Sequence, residues 1–184
     1  MSGPQPPAIP NFYPGLPALP QLNTMAQAFA FLLGGPSFRA RRAATGTATK
    51  NAHTKVPWDT VDEDSYSGWS AASPTRYTVQ APGWYLVCGT VSLSGTGAAG
   101  TLMVPAVVVS GSSPTGLGVG FEGGAFAVPV SGSPMVASGV WEVYCNLGDY
   151  IELDLWYSSE PASNLSWSTT AGTQSRIELT WMGI

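Results

Sequence analysis

Glycine and proline recur so often along this chain that few stretches could support a long helix. Twenty-two glycines and sixteen prolines are spread over 184 residues. Proline removes a backbone donor and clashes with the preceding turn, and glycine inside a helix costs about 1 kcal/mol relative to alanine. A mainly helical fold is thereby disfavoured. So is disorder of the whole chain, which requires low hydrophobicity and high net charge. Here 44% of residues are hydrophobic, seven are tryptophan, and only 10% are charged. What remains is an all-β domain rich in turns, with a weakly charged surface suited to contact with other protein.

The punctuation is uneven, and so is the charge. Up to Pro57 the chain carries Arg39, Arg41, Arg42, Lys50 and Lys55 and no acid; from Trp58 onward it carries two arginines and all eleven acids. Such asymmetry commonly separates a tail from a body. All seven tryptophans lie at or after Trp58, and nine prolines at or before Pro57. These counts suggest an N-terminal arm over residues 1–44 and a β domain over 45–184.

Within the arm, residues 1–22 read as extended, because seven prolines from Pro4 to Pro20 fix φ and remove donors. Ile9, Phe12, Tyr13, Leu16 and Leu19 stand between them, a spacing suited to laying apolar side chains into a partner's pockets. A short helix is expected over about 24–33, capped by Asn23 or Thr24 and stopped by Gly34-Gly35-Pro36. Met25, Phe29, Leu32 and Leu33 would form one apolar stripe. The run Phe38-Arg39-Ala40-Arg41-Arg42 then reads as a basic linker over 36–44, solvated or set against an acidic protein surface. Without aromatic interleaving it does not point to nucleic acid.

The body reads as short strands between turn clusters. Tyr150 to Tyr157 alternates Ile151, Leu153, Leu155 and Tyr157 against Glu152, Asp154 and Trp156. Gly83 to Leu93 places Tyr85, Val87, Val91 and Leu93 on one face, and the last strand places Ile177, Leu179 and Trp181 opposite Glu178 and Thr180. Leu102 to Val109 is continuously apolar, as in a strand buried on both faces. Thr45–Val56, Arg76–Gln80, Ala125–Val130 and Val136–Asn146 are further candidates. This spacing means a sandwich or jelly roll.

Three segments also resemble a known family. Pro82-Gly83-Trp84-Tyr85-Leu86-Val87 is similar to a strand of C1q/TNF-like jelly rolls. Leu147-Gly148-Asp149-Tyr150-Ile151-Glu152-Leu153 resembles the turn and strand near that domain's end, and Ile177 to Ile184 its closing strand. The Pro-rich start and the helix ending Phe31-Leu32-Leu33 resemble virion proteins of tailed bacteriophages of actinobacteria, of the head-fibre, capsid decoration or minor tail type. The resemblance implies a homotrimer with aromatic residues about the three-fold axis. Candidates are Trp84, Tyr85, Tyr144, Trp156 and Tyr157. It also implies a place on the particle exterior, with the arm docking on a major capsid or tail protein through Phe29, Leu32, Leu33, Phe38, Arg39, Arg41 and Arg42 as well as the Pro-rich segment. A carbohydrate-binding module, with Trp69 or Trp167 stacking on a host glycan, is the alternative.

Catalytic chemistry has little to draw on. His53 is the only histidine, far in sequence from Cys88 and Cys145, which are expected as reduced, buried thiols. Gly95-Thr96-Gly97-Ala98-Ala99-Gly100 fits a nucleotide loop by letter, yet strands flank it, so a hairpin turn is expected. Asp59, Asp62, Glu63 and Asp64 lack the spacing of a calcium loop and could instead partner the arginine run. Glu142, Glu152 and Asp154 offer carboxylates, but only with the alternation of a half-exposed strand. The expectation is a structural protein without enzyme activity, cofactor, metal, nucleic acid or membrane insertion. With no charged n-region and apolar core of a signal peptide, synthesis in a host cytoplasm is expected.

Overall fold

The computed structural model describes residues 19–96, 99–109, 121–128, 134–158 and 164–183. The expected docking residues Ile9, Phe12, Tyr13 and Leu16 lie outside them. The chain runs α1 (Leu19–Leu33), β1 (Ser37–Arg42), β2 (Thr47–Ala48), β3 (Thr54–Lys55), β4 (Thr60–Asp64), β5 (Arg76–Thr78), β6 (Gly83–Thr96) and β7 (Leu102–Val109). It continues with β8 (Phe121–Glu122), β9 (Phe126–Ala127), β10 (Pro134–Cys145), β11 (Tyr150–Tyr157), β12 (Leu165–Trp167) and β13 (Ser175–Gly183). None of the described helical residues forms a span long and apolar enough to cross a membrane.

Two antiparallel sheets face each other. The larger follows the order β2-β12-β6-β13-β1-β4, with β10 on the other edge of β6; the smaller runs β3-β11-β7-β8, with β5 on β11 and β9 on β7. The expected all-β jelly roll is what the chain forms. Alternation places Tyr85, Val87, Val91 and Leu93 of β6, Ile177 and Leu179 of β13, and Ile151, Leu153, Leu155 and Tyr157 of β11 in one core between the sheets. Glycine makes room twice. Gly89 and Gly139 stand opposite each other in register, and a Cβ on Gly139 would fall 2.4 Å from the Trp141 ring that fills the space. Gly83 has φ of 137°, and its Cβ would meet the Gly183 carbonyl at 2.2 Å where the two long strands begin and end.

Two boundaries differ from the sequence expectation. The helix starts at Leu19, not near residue 24, so residues 19–22 are helical instead of extended. Pro20 lies in the first turn, where a missing N–H leaves nothing unsatisfied. The basic linker over 36–44 is largely strand β1, paired with β13 on one side and β4 on the other. Residues 37–42 thus belong to the jelly roll.

Candidate functional site

The solvent face of the larger sheet carries the features that a monomer does not need. Residues alternating with the core set point outward along its strands: Trp84, Leu86, Cys88 and Thr90 on β6, Ser138, Val140, Glu142 and Tyr144 on β10, and Arg176, Glu178 and Met182 on β13. At one end, Trp84 and Tyr144 face each other in register with ring centroids 5.6 Å apart, edge to face. Trp84, Tyr144 and Met182 keep nearly half their surface in water, and Val140 keeps 67%. A run of exposed aromatic and aliphatic side chains on three neighbouring strands is the composition of an interface core.

The middle of this face is polar. A groove of about 570 Å³ opens over Arg39, Arg41, Cys88, Thr90, Arg176 and Glu178. Arg39 and Arg41 belong to β1, Arg176 belongs to β13, and the acids that answer the β1 arginines belong to the neighbouring strands. Arg39 Nη2 lies 2.7 Å from Glu178 of β13 and its Nε 3.8 Å from Glu63 of β4, while Arg41 Nη2 lies 3.3 Å from Asp62. At the end of β1, Arg42 pairs with Asp59 at 2.9 Å. The acidic cluster is therefore the partner of the arginine run. Asp59 also accepts the N–H groups of Ala43 and Ala44, each at 2.8 Å. Burial works to raise its pKa, but those donors, Thr60 and Arg42 outweigh it and hold the carboxyl below 3.8. Asp64 similarly accepts the N–H groups of Gly68 and Trp69.

Several expected site residues lie elsewhere. Phe38 is fully buried against Tyr77, with ring centroids 5.0 Å apart, because β1 turns its even positions inward. It cannot dock on another chain. Tyr85 and Tyr157 are fully buried as well; their hydroxyls donate to Ala81 and Ala48 carbonyls, and Tyr157 also accepts from Leu165 N–H. They serve the core of one chain, not a shared axis. Trp156 sits on the smaller sheet. Trp167 is buried, and Trp69 is partly buried, packed against the core with its indole N–H on the Pro74 carbonyl, so neither stands out as an open stacking platform. On α1 the docked residue is Phe31, packed between Trp181 and Tyr66. Leu22 and Phe29, seven residues apart on one stripe, remain exposed. Leu19, Leu32 and Leu33 lie on the same helix.

The outer face of the smaller sheet overturns the half-exposed reading of β11. Glu152 and Asp154 are buried at 3% and 1% exposure. Lys55 and Thr75 hold Glu152, and His53 Nδ1 lies 3.3 Å from Asp154 Oδ2. Burial raises the Asp154 pKa, a shift that His53, the Leu155 N–H and Lys55 reduce without cancelling. Cys88 and Cys145 are both free; they occupy opposite faces of the larger sheet, and burial lifts the Cys145 thiol to about 12.

This arrangement of sheets has known counterparts. The globular domain of zebrafish complement 1qA superposes with a TM-score of 0.54 at 16% identity, over 80% of this chain and 97% of that one. Murine APRIL at pH 5.0 gives 0.52 at 14% identity, over 79% and 98%. The fold is the C1q/TNF-like jelly roll. Two of the segments that resemble the family meet in it, Pro82 accepting the Trp181 indole N–H at 3.0 Å; in the third, Gly148, with φ of 86°, turns the chain into β11. No protein-family model matches the sequence, and no match to a curated protein was found.

Val140 and Met182 are the face residues that sequence reasoning missed. The signal was present in the parity of β10 for Val140 and of β13 for Met182. Once Tyr85, Ile177 and Leu179 point inward, Trp84 and the even positions of β13 must point outward.

Proposed function

We propose that this chain is a structural protein of a tailed-phage virion, a jelly roll that self-associates as a homotrimer and is held on the particle by its N-terminal segment. The most fitting role is capsid decoration or head fibre, with a minor tail position as the variant of the same reading. It acts without catalysis. The observation that carries the self-association is the exposed row of Trp84, Tyr144, Met182 and Val140 on the larger sheet. Burying such side chains against copies of the same face returns roughly 25 cal/mol per Å² of apolar surface. Arg39 and Arg41 on this face are already paired, with Glu178 and Asp62, which limits the desolvation cost that opposes it. Leu22 and Phe29 of α1, continuous with the proline-rich segment before it, supply apolar anchors toward a capsid or tail protein. The glycan-binding alternative loses Trp69 and Trp167 as platforms and is not favoured.

Light scattering of the full chain should give three times its 19.1 kDa mass; a monomer at all concentrations refutes the association. A chain lacking residues 1–18 should stay trimeric and fail to enter particles. Normal incorporation of that truncation would count against the anchor. Copy number per virion, hundreds or a handful, separates shell from tail tip.

A further inference from the structure

One cross-strand row on the same face is basic. Arg41 of β1 stands directly opposite Arg176 of β13, Arg176 opposite Thr90 of β6, and Thr90 opposite Ser138 of β10. Like charges directly opposite each other on one face repel. Asp62 answers Arg41. Arg176 has no acidic partner among the described residues. It is exposed, and together with Thr90 it lines both the 570 Å³ groove and a second cavity of about 220 Å³ beside it. Thr90 and Ser138 share one hydrogen bond of 2.9 Å, which leaves a second hydroxyl hydrogen free to donate into the groove.

β13 is the middle strand of the order β10-β6-β13-β1-β4, and Thr90 and Ser138 fall mid-way along the two longest strands. Arg176 therefore lies inside this face, not on its rim. In a single chain water solvates its guanidinium. When copies cover the face, that water leaves, and an unpaired charge becomes expensive. Copies packed about an axis along the strands meet level with level. At this level each brings two arginines and two hydroxyls, and no unpaired acid.

We infer that this row is an oxyanion site whose occupancy is coupled to assembly. The ligand is a free tetrahedral oxyanion of the sulfate or phosphate class. Arg176, Arg41 and the Thr90 and Ser138 hydroxyls line one groove from four strands, Arg41 already answered by Asp62, and guanidinium forks and hydroxyls suit tetrahedral oxygens. The inference rests on the self-association proposed above.

The test is sedimentation equilibrium of the full chain in low-millimolar sodium sulfate against sodium chloride at equal ionic strength, for the native protein and Arg176→Gln. Sulfate should strengthen native association by roughly tenfold, within the usual range of linkage between sites. Arg176→Gln, an exposed replacement that leaves the core intact, should associate equally in both salts. A native trimer indifferent to sulfate sinks this inference alone, as does a sulfate effect that persists in Arg176→Gln. A native chain that is monomeric in both salts sinks the association reading with it.

Discussion

Within the segment Ser37–Arg42, neighbouring residues have opposite fates. Phe38 is fully buried while Arg39 keeps more than half of its side chain in water, because successive side chains of a strand face opposite ways. Phe38→Ala should cost about 3–5 kcal/mol by leaving a cavity against Tyr77. Arg39→Ala should leave stability nearly unchanged, since its ion pairs are exposed and screened by solvent. Urea unfolding of both variants checks the contrast; equal losses would mean that β1 is not seated as described. In the sequence, three arginines in five residues read as a linker. The decisive fact was the acids of β4, some twenty residues on, and no local pattern states that those two strands lie side by side.

For whole elements the same lesson has a practical edge. A truncation at residue 44 looks natural from the charge split, but it removes β1 from between β13 and β4. Deletion of residues 1–44 should therefore yield insoluble or unfolded chain, whereas deletion of 1–18 leaves every described strand in place; circular dichroism of the purified fragments distinguishes them. β11 teaches the complement. Its boundaries, Tyr150–Tyr157, were legible from alternation alone, yet Glu152 and Asp154 on its polar face are as buried as its apolar residues. The consequence is a pH dependence. A carboxyl whose folded pKa lies above its unfolded value holds its proton more tightly when folded. Its contribution is favourable below the unfolded pKa and is lost as pH rises through the folded one. Asp154 is such a group. Asp154→Asn should be at least as stable as the native chain at neutral pH, with the advantage shrinking on acidification through the carboxylate range. A melting temperature well below native at neutral pH would show that the His53 pairing outweighs burial.

Taken as a whole molecule, the chain divides its surface into two sides. The outer face of the smaller sheet is closed over by Lys55, His53 and Thr75, whereas the outer face of the larger sheet is left open and apolar at one end. Replacing Trp84 and Tyr144 together by serine should abolish association while leaving a folded monomer, because neither side chain contributes to the core. Native melting temperature should rise with protein concentration by mass action, and that dependence should vanish in the double variant. A concentration-dependent variant would place the contact elsewhere. Periodicity and punctuation in the sequence determined the fold class, most strand positions, and the inward set of core residues. These are local consequences of a two-residue repeat and of where glycine and proline interrupt it. The tertiary structure alone decided that the basic segment is a strand, that Trp167 is core, and that Trp84, Tyr144, Met182 and Arg176 share one open face. Each of those outcomes depends on which distant strands become neighbours, and pairing across a hundred residues leaves no mark in the local pattern of either partner.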